Sequence, residues 1–249
     1  MLTQRQSDIL TGLMLGDGHL SIGGTARNPR LRINRSIKDK KYAIWIANEF
    51  SNYTTDKCLR ECDMFDKRRN ITYQRISFNT RRHKDFMPFF NSWYTPTKKV
   101  PIIKNLSSLS VAIWFADDGS FYRKSKNGIS SGLEGKFSTC GFTKNEVIYL
   151  KNLLNNKYNT NFKVYGGYGN DYYTIVGSSR PTKRLILDIN DIFPPTTKKD
   201  RWYDWASWEL NPFCPKCNKD KVLKKGFYVY KKTRSQRFKC GACAYRWRV

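Results

Sequence analysis

Two Asp-Gly steps, Asp17-Gly18 and Asp118-Gly119, stand at the ends of two apolar helical runs in this 249-residue chain. "ILTGLMLGDGHLS" (9–21) holds helical spacing up to Gly16, and "LSVAIWFADDGSF" (109–121) does the same up to Ala116. A carboxylate at such a tip meets the negative end of the helix dipole. Two of them brought together repel unless a proton or a cation intervenes. A hard divalent ion with oxygen ligands, Mg²⁺ above all with Mn²⁺ as a substitute, would suit Asp17 and Asp118, and it could activate water beside a phosphate. Asp117 adds a further acid, as a cap, a support for Asp118 or a direct participant. A second chemistry lies near the C-terminus, where Cys214 and Cys217 form one CxxC pair and Cys240 and Cys243 another. Each pair offers two thiolates, and the four suit one tetrahedral, structural Zn²⁺. Only two histidines, His19 and His83, are present, so a site built on histidine–metal ligation fits poorly.

The elements that must position these groups repeat. A helix over 3–18 is expected, with Thr3 and Gln6 spaced as a capping box and Gly18 as its stop. Strands near 19–23 and 30–36, a helix at 38–50, strands near 57–62 and 71–80, and a helix at 83–94 follow. The order then recurs: helix 106–118, strands 120–124 and 135–140, a helix from Thr143 with Glu146 completing a second box, strands 162–167 and 172–177, and a helix to Phe193. The fold class is therefore α+β, two pseudo-symmetric αββαββα lobes at 1–97 and 98–195. A connecting segment at 196–213 carries Trp202, Trp205 and Trp208, and 214–249 forms a small zinc ribbon. Gly12 and Gly16, like Ala112 and Ala116, lie four apart on one helical face, where small residues let two backbones approach closely. Parallel packing of the two helices would bring Asp17 and Asp118 together.

The net charge of +26 calls for a polyanion. A membrane partner is not expected, since no basic amphipathic helix and no apolar run near about 18 residues is found. Seven cysteines, with no pattern of an export signal, point to a reducing compartment that contains nucleic acid. Cys58, Cys62 and Cys140 are expected to be buried thiols. Strand alternation assigns an outward face to Arg30, Arg32 and Asn34 opposite Leu31 and Ile33, and to Arg75, Ser77, Asn79 and Arg81 opposite Ile76 and Phe78. In the second lobe it assigns Lys136, Ser138, Lys163 and Tyr165. These residue types contact phosphates and base edges of double-stranded DNA. The basic, aromatic-rich 214–249 segment reads as a second DNA-binding module or a protein-docking ribbon.

"LTGLMLGDG" and "VAIWFADDG" resemble the two signature helices of LAGLIDADG homing endonucleases in the single-chain branch, and the likeness extends over about 7–193. Leu15 replaces the first acid of the name motif. Ile113 stands where the family often has Gly, which offsets the small residues of the second helix by one. The resemblance implies signature helices at the lobe interface, metal-binding carboxylates at Asp17 and Asp118, and a metal-dependent cut of both DNA strands by a monomer. It also implies a basic residue before the second helix, matched by Lys98, with Lys198 as a counterpart after the second lobe. A maturase acting on intron RNA and a non-catalytic DNA-binding regulator on the same scaffold are the alternatives. The host would be the cytoplasm of a bacterial or phage-infected cell, or an organelle.

Overall fold

The computed structural model describes residues 1–126, 129–166, 172–197, 214–219, 222–230 and 233–248. The chain divides into two compact units, Met1–Arg201 and Trp202–Val249. That division falls inside the 196–213 connecting segment, whose three tryptophans and Lys198 lie outside the described residues.

In the first unit, lobe 1 runs α1 (Gln4–Leu15), β1 (His19–Ser21), β2 (Arg30–Ser36), α2 (Lys40–Glu49), β3 (Leu59–Asp66), β4 (Ile71–Asn79) and α3 (Met87–Trp93). Lobe 2 runs α4 (Ser108–Asp118), β5 (Gly119–Lys126), β6 (Ile129–Ser138), α5 (Lys144–Tyr158), β7 (Lys163–Gly166), β8 (Tyr173–Gly177) and α6 (Ser179–Ile189). Each lobe holds one antiparallel four-stranded sheet, in the orders β1-β2-β4-β3 and β5-β6-β8-β7. The second strand of each lobe is thus central, and it carries residues of both faces to the middle of the sheet.

The helices start where side chains satisfy their first amides. Thr3 and Gln6 close a capping box on α1, and Thr143 and Glu146 close one on α5. Ser107 caps α4 by accepting from the Ser110 amide. Helix α1 ends at Leu15, three residues earlier than the sequence suggests, because Gly16 leaves helical geometry and the Gly18 amide turns back to the Leu13 carbonyl at 2.8 Å. Asp17 therefore follows its helix, whereas Asp118 is the last residue of α4.

The core is the alternate set of each strand packed on these helices. Leu31, Ile33, Ile76 and Phe78 are buried in lobe 1, as are Leu133, Phe137 and Ile175 in lobe 2. Phe137 contacts Trp114 and Phe115 of α4 at centroid distances of 4.2 and 4.9 Å, fixing that helix to its own sheet. Between the lobes, the chain before α4 is held to α5 by the Val100 amide on Glu146 and the Ile103 amide on the Tyr149 hydroxyl, both at 2.7 Å. One expectation fails here: Cys140 is exposed, and Cys58 and Cys62 are only half-buried. Cys140 lies past the end of β6, in the turn that follows the buried Thr139, and faces outward there.

The second unit contains β9 (Val222–Tyr230), β10 (Thr233–Cys240) and β11 (Arg246–Arg248), in the order β11-β10-β9. Its small core is Cys214, Val222, Phe238 and Cys240, with Cys217, Cys243 and Trp247 packed against it.

Candidate active site

Helices α1 and α4 pack in parallel, as successive contacts along them show. The Ser110 hydroxyl donates to the Asp8 carbonyl at 2.7 Å; a Cβ on Gly12 would stand 2.7 Å from Ile113 Cβ; one on Gly16 would stand 2.4 Å from Asp117 Cβ. The residues that Gly12 and Gly16 face are therefore Ile113 and Asp117, one position on from the buried Ala112 and Ala116. The offset noted in the sequence is the mechanism of close approach: glycine on α1 receives a larger side chain from α4. Any added methyl here forces the helices apart, at a typical overpacking cost of about 1–3 kcal/mol.

That approach brings acids from both lobes to one place. The Asp17 amide donates to Asp117 Oδ2 at 3.0 Å. Arg35, on β2, bridges the two acids: Nη1 donates to Asp17 Oδ2 at 2.8 Å, and Nη2 donates to Asp117 Oδ1. The Tyr42 hydroxyl of α2 also donates to Asp117 Oδ1, at 3.0 Å, and the Arg35 guanidinium lies 4.7 Å from the Tyr42 ring centre. Side-chain exposure separates the roles: Asp117 is 0% and Arg35 8% exposed, whereas Asp17 is 43% exposed. Asp118 is half-buried. Burial pushes the Asp117 carboxyl up to about 6, against the pull of Arg35. Burial also opposes the Arg35 charge, yet Asp117, Tyr42 and Asp17 hold it above its ordinary value.

Lys98 closes the group from the chain between the lobes. Its Nζ donates to the Gly16 and Gly18 carbonyls at 3.3 and 3.0 Å, the two carbonyls that flank Asp17. Burial lowers its pKa, while Asp118, Asp117 and Asp17 all act on it in the opposite sense. All three acids thus favour the charge on this half-buried ammonium group. Such a group can offset charge on a reacting phosphate.

Around this centre the outward sheet faces are basic. Arg32 pairs with His19 and Asn79 across the sheet, and Asn34 pairs with Ser77. Arg32 donates to the Asn79 amide oxygen at 3.2 Å, and the Ser77 hydroxyl donates to Asn34 at 2.8 Å. Arg30 has its pKa lowered by burial and by Arg32 and Arg82, and His19 by burial and by Arg32, Lys98 and Arg30. Arg75 lies on the same face as Ser36, and its Nε donates to Cys62 Sγ at 3.1 Å. Arg81 lies past the end of β4, exposed, and its guanidinium donates to the Asn52 carbonyl at 2.8 Å. In lobe 2, Lys136 and Lys163 flank Val176, and Ser138 and Tyr165 flank Thr174, making two cross-strand rows. Lys163 and Tyr165 are exposed.

A model of the LAGLIDADG DNA endonuclease family matches residues 7–185. The chain belongs to that family. Among curated proteins, this LAGLIDADG chain is similar to cytochrome b mRNA maturase bI2 of Debaryomyces hansenii, 27% identical over 205 residues, covering 79% of this chain and 73% of that protein. The Saccharomyces cerevisiae maturase of the same name is 28% identical over 163 residues, 61% of this chain, and the match spans only 36% of that protein. DNA endonuclease I-ChuI of Chlamydomonas applanata is 26% identical over 168 residues, covering 64% and 75% of the two chains. Among solved structures, the homing endonuclease I-WcaI bound to its DNA recognition sequence has the same fold, with a TM-score of 0.69 at 22% identity over 78% of this chain and 84% of that one.

Arg35, Tyr42 and Arg82 of this LAGLIDADG chain join the site although no motif in the sequence marks them. Arg35 carried a usable signal: it is in phase with Leu31 and Ile33, so it had to point inward with them. Arg82 donates to the Ser21 and Asn28 carbonyls at 3.3 and 3.4 Å and adds to the charge beside Arg30.

In the second unit, the four sulfurs of Cys214, Cys217, Cys240 and Cys243 lie within 4.8 Å of one another and could hold a metal ion. The Cys214–Cys243 and Cys217–Cys240 sulfur separations are both 3.6 Å. A tetrahedron with Zn–S bonds of about 2.3 Å would set its sulfurs roughly 3.8 Å apart, so the donor set fits zinc. The two knuckles repeat one backbone device, with Asn218 and Ala244 in the left-handed region at φ 51° and 59° just after the second cysteine of each pair. Their amides close on the Cys214 and Cys240 carbonyls at 2.8 and 3.0 Å.

Proposed function

We propose that this chain is a sequence-specific DNA endonuclease of the homing type, a monomer that hydrolyses both strands of a duplex at a long target site. The observation that supports the reading is the contact of Asp17 with Asp117 at the ends of two parallel helices, with Lys98 on the carbonyls that flank Asp17. Asp17 and Asp118 would hold the divalent cation, Mg²⁺ or Mn²⁺, since oxygen donors that are not fully buried suit a hard ion that must also meet a phosphate. When bound, such an ion lowers the pKa of water and screens phosphate charge.

The chain's own residues do the rest. Arg35 fixes the Asp17 carboxylate by one oxygen, and Lys98 supplies positive charge beside it. Water is the nucleophile; it forms the new bond to phosphorus as the bond to the leaving sugar oxygen breaks, and no covalent enzyme intermediate forms. Lys198 serves as the counterpart of Lys98 for the second strand. The outward residues Arg30, Arg32, Asn34, Arg75, Ser77 and Asn79 of lobe 1, with Lys136, Ser138, Lys163 and Tyr165 of lobe 2, contact the DNA. The four cysteines hold one structural Zn²⁺. The host is a mobile element; relatives named as mRNA maturases and as an intron-encoded endonuclease support an intron.

The test is cleavage of a fragmented genomic DNA library with Mg²⁺ by wild type, Asp17→Asn and Asp118→Asn, with the new ends sequenced. Discrete paired ends for wild type, lost or reduced to single-strand nicks in the variants, are expected. A second reading is favoured by the maturases among the relatives: a protein that binds intron RNA and assists its splicing. Absence of discrete ends, with tight binding of an intron RNA, would replace the first reading with this one.

A further inference from the structure

The three-stranded sheet of the second unit presents two unlike faces. On one, Phe238 lies opposite Trp247 and packs toward the cysteines. On the other, Arg237 lies directly opposite Arg248, and Lys239 directly opposite Arg246. These four, with Lys225 and the Phe238 and Trp247 rings, line an open groove of about 480 Å³. Like charges placed directly across an antiparallel pair destabilise it. Here two such pairs are adjacent, and residues 214–249 hold twelve Lys or Arg against a single acid, Asp220. A small sheet that repeats this unfavourable pairing is matched to an external polyanion.

We propose that this face clamps the phosphate backbone of duplex DNA without regard to sequence, a role beyond the nuclease reading and independent of cleavage. The cations form a grid about 5 Å wide across the strands and roughly 7 Å long between alternate residues, so several can meet neighbouring phosphates at once. Duplex DNA is a suitably dense partner, with a charge every ~1.7 Å of its axis. Unpaired nucleic acid is recognised instead by stacking bases on open aromatic platforms. Among the described rings, Trp247 stacks with Phe238 and with Tyr245 at centroid distances of 5.5 and 6.0 Å, and the Arg248 guanidinium lies over the Tyr228 ring at 4.6 Å. Tyr228 and Tyr245 stay 39% and 42% exposed, so a single-stranded arm belongs in the test.

The test uses the full-length, zinc-loaded protein and a labelled random-sequence duplex of about 30 base pairs, with affinity measured by anisotropy over a range of KCl concentrations. Each phosphate contact contributes about 0.9 to the slope of log K against log salt. The variant Arg237→Gln/Lys239→Gln/Arg246→Gln/Arg248→Gln is expected to lose about 3 from that slope, and at ~0.1 M KCl to bind about tenfold more weakly or worse. Lys216→Gln/Lys219→Gln, on the first knuckle, is expected to keep the wild-type slope. Zinc content reports folding; if the fourfold variant loses zinc, Arg237→Gln/Arg248→Gln carries the test, with a slope loss of about 1–2. An unchanged slope in zinc-replete variants overturns the proposal, as does an equal loss per charge from the knuckle lysines. Loss of affinity for a single-stranded RNA with the duplex slope intact overturns it in favour of an RNA clamp. Failure of the nuclease reading would appear in the cleavage assay and leave these slopes unaffected.

Discussion

Lobe 1 ends its interface helix at Leu15 and follows it with Gly16 and an exposed Asp17; lobe 2 carries its helix through the buried Asp117 to Asp118. The central strands differ in a complementary way. Arg32 of β2 pairs with His19, two residues past Asp17, and Lys136 of β6 pairs with Ser120, two residues past Asp118. Three residues further along each chain stand Arg35 in lobe 1 and Thr139 in lobe 2. Arg35 reaches across to Asp117, while the Thr139 hydroxyl donates to the Tyr173 carbonyl within its own lobe. A repeated element order has thus been given an asymmetric electrostatic centre. One buried cation and one buried acid, each without a like residue in the other lobe, meet at the glycine that makes room for them. The two lobes are alike as scaffolds and unlike as chemical environments.

The largest expected effect breaks that pairing. Arg35→Met leaves Asp117 buried without its ion-pair partner and should cost about 3–5 kcal/mol of stability at pH 7.5, by urea unfolding. The equivalent change in lobe 2, Thr139→Val, removes a single hydrogen bond and should cost about 1 kcal/mol. Equal losses would mean that the centre is symmetric after all.

The next effect is a pH dependence with a definite sign. Burial holds the Asp117 carboxyl at about 6, above its ordinary value, so the folded protein binds this proton more tightly than the unfolded chain. Between pH 4 and 6 that contribution falls as pH rises, by up to about 3 kcal/mol, and above pH 6 it is level. Glu146 and Asp85 are held below their ordinary range and act in the opposite sense, losing stability as pH falls. The difference between wild type and Asp117→Asn, measured from pH 4 to 7.5, isolates the one residue. A flat difference would remove the asymmetry in protonation.

The smallest effects probe what the lobes share. Thr3→Ala and Thr143→Ala each remove the hydroxyl of a complete capping box, and each should cost about 1 kcal/mol in denaturant midpoints. Similar values would show that the lobes are matched away from their interface.

Much of this was legible in the residues themselves. The capping boxes, the order of helices and strands and the alternation in "RLRINR" follow from local chemistry, since each needs only neighbours a few positions apart. The four cysteines also follow, because their spacing already describes two knuckles. Both Gly16 and Gly18 can end a helix, and only the Gly18 amide turning back to Leu13 places the stop of α1. Arg35 has inward parity on its strand, but parity does not name the acids it meets, which lie on other elements.

The sequence by itself determined two αββαββα halves, a carboxylate at the tip of each leading helix, basic outward strands and a four-cysteine module. The tertiary structure alone decided which acid is buried, which is exposed, and that one arginine holds both. The reason is physical. Arg35 meets partners 18 and 82 residues away, and that meeting depends on the separation of two helices. Gly12 and Gly16 set that separation by yielding their space to Ile113 and Asp117 of the other lobe.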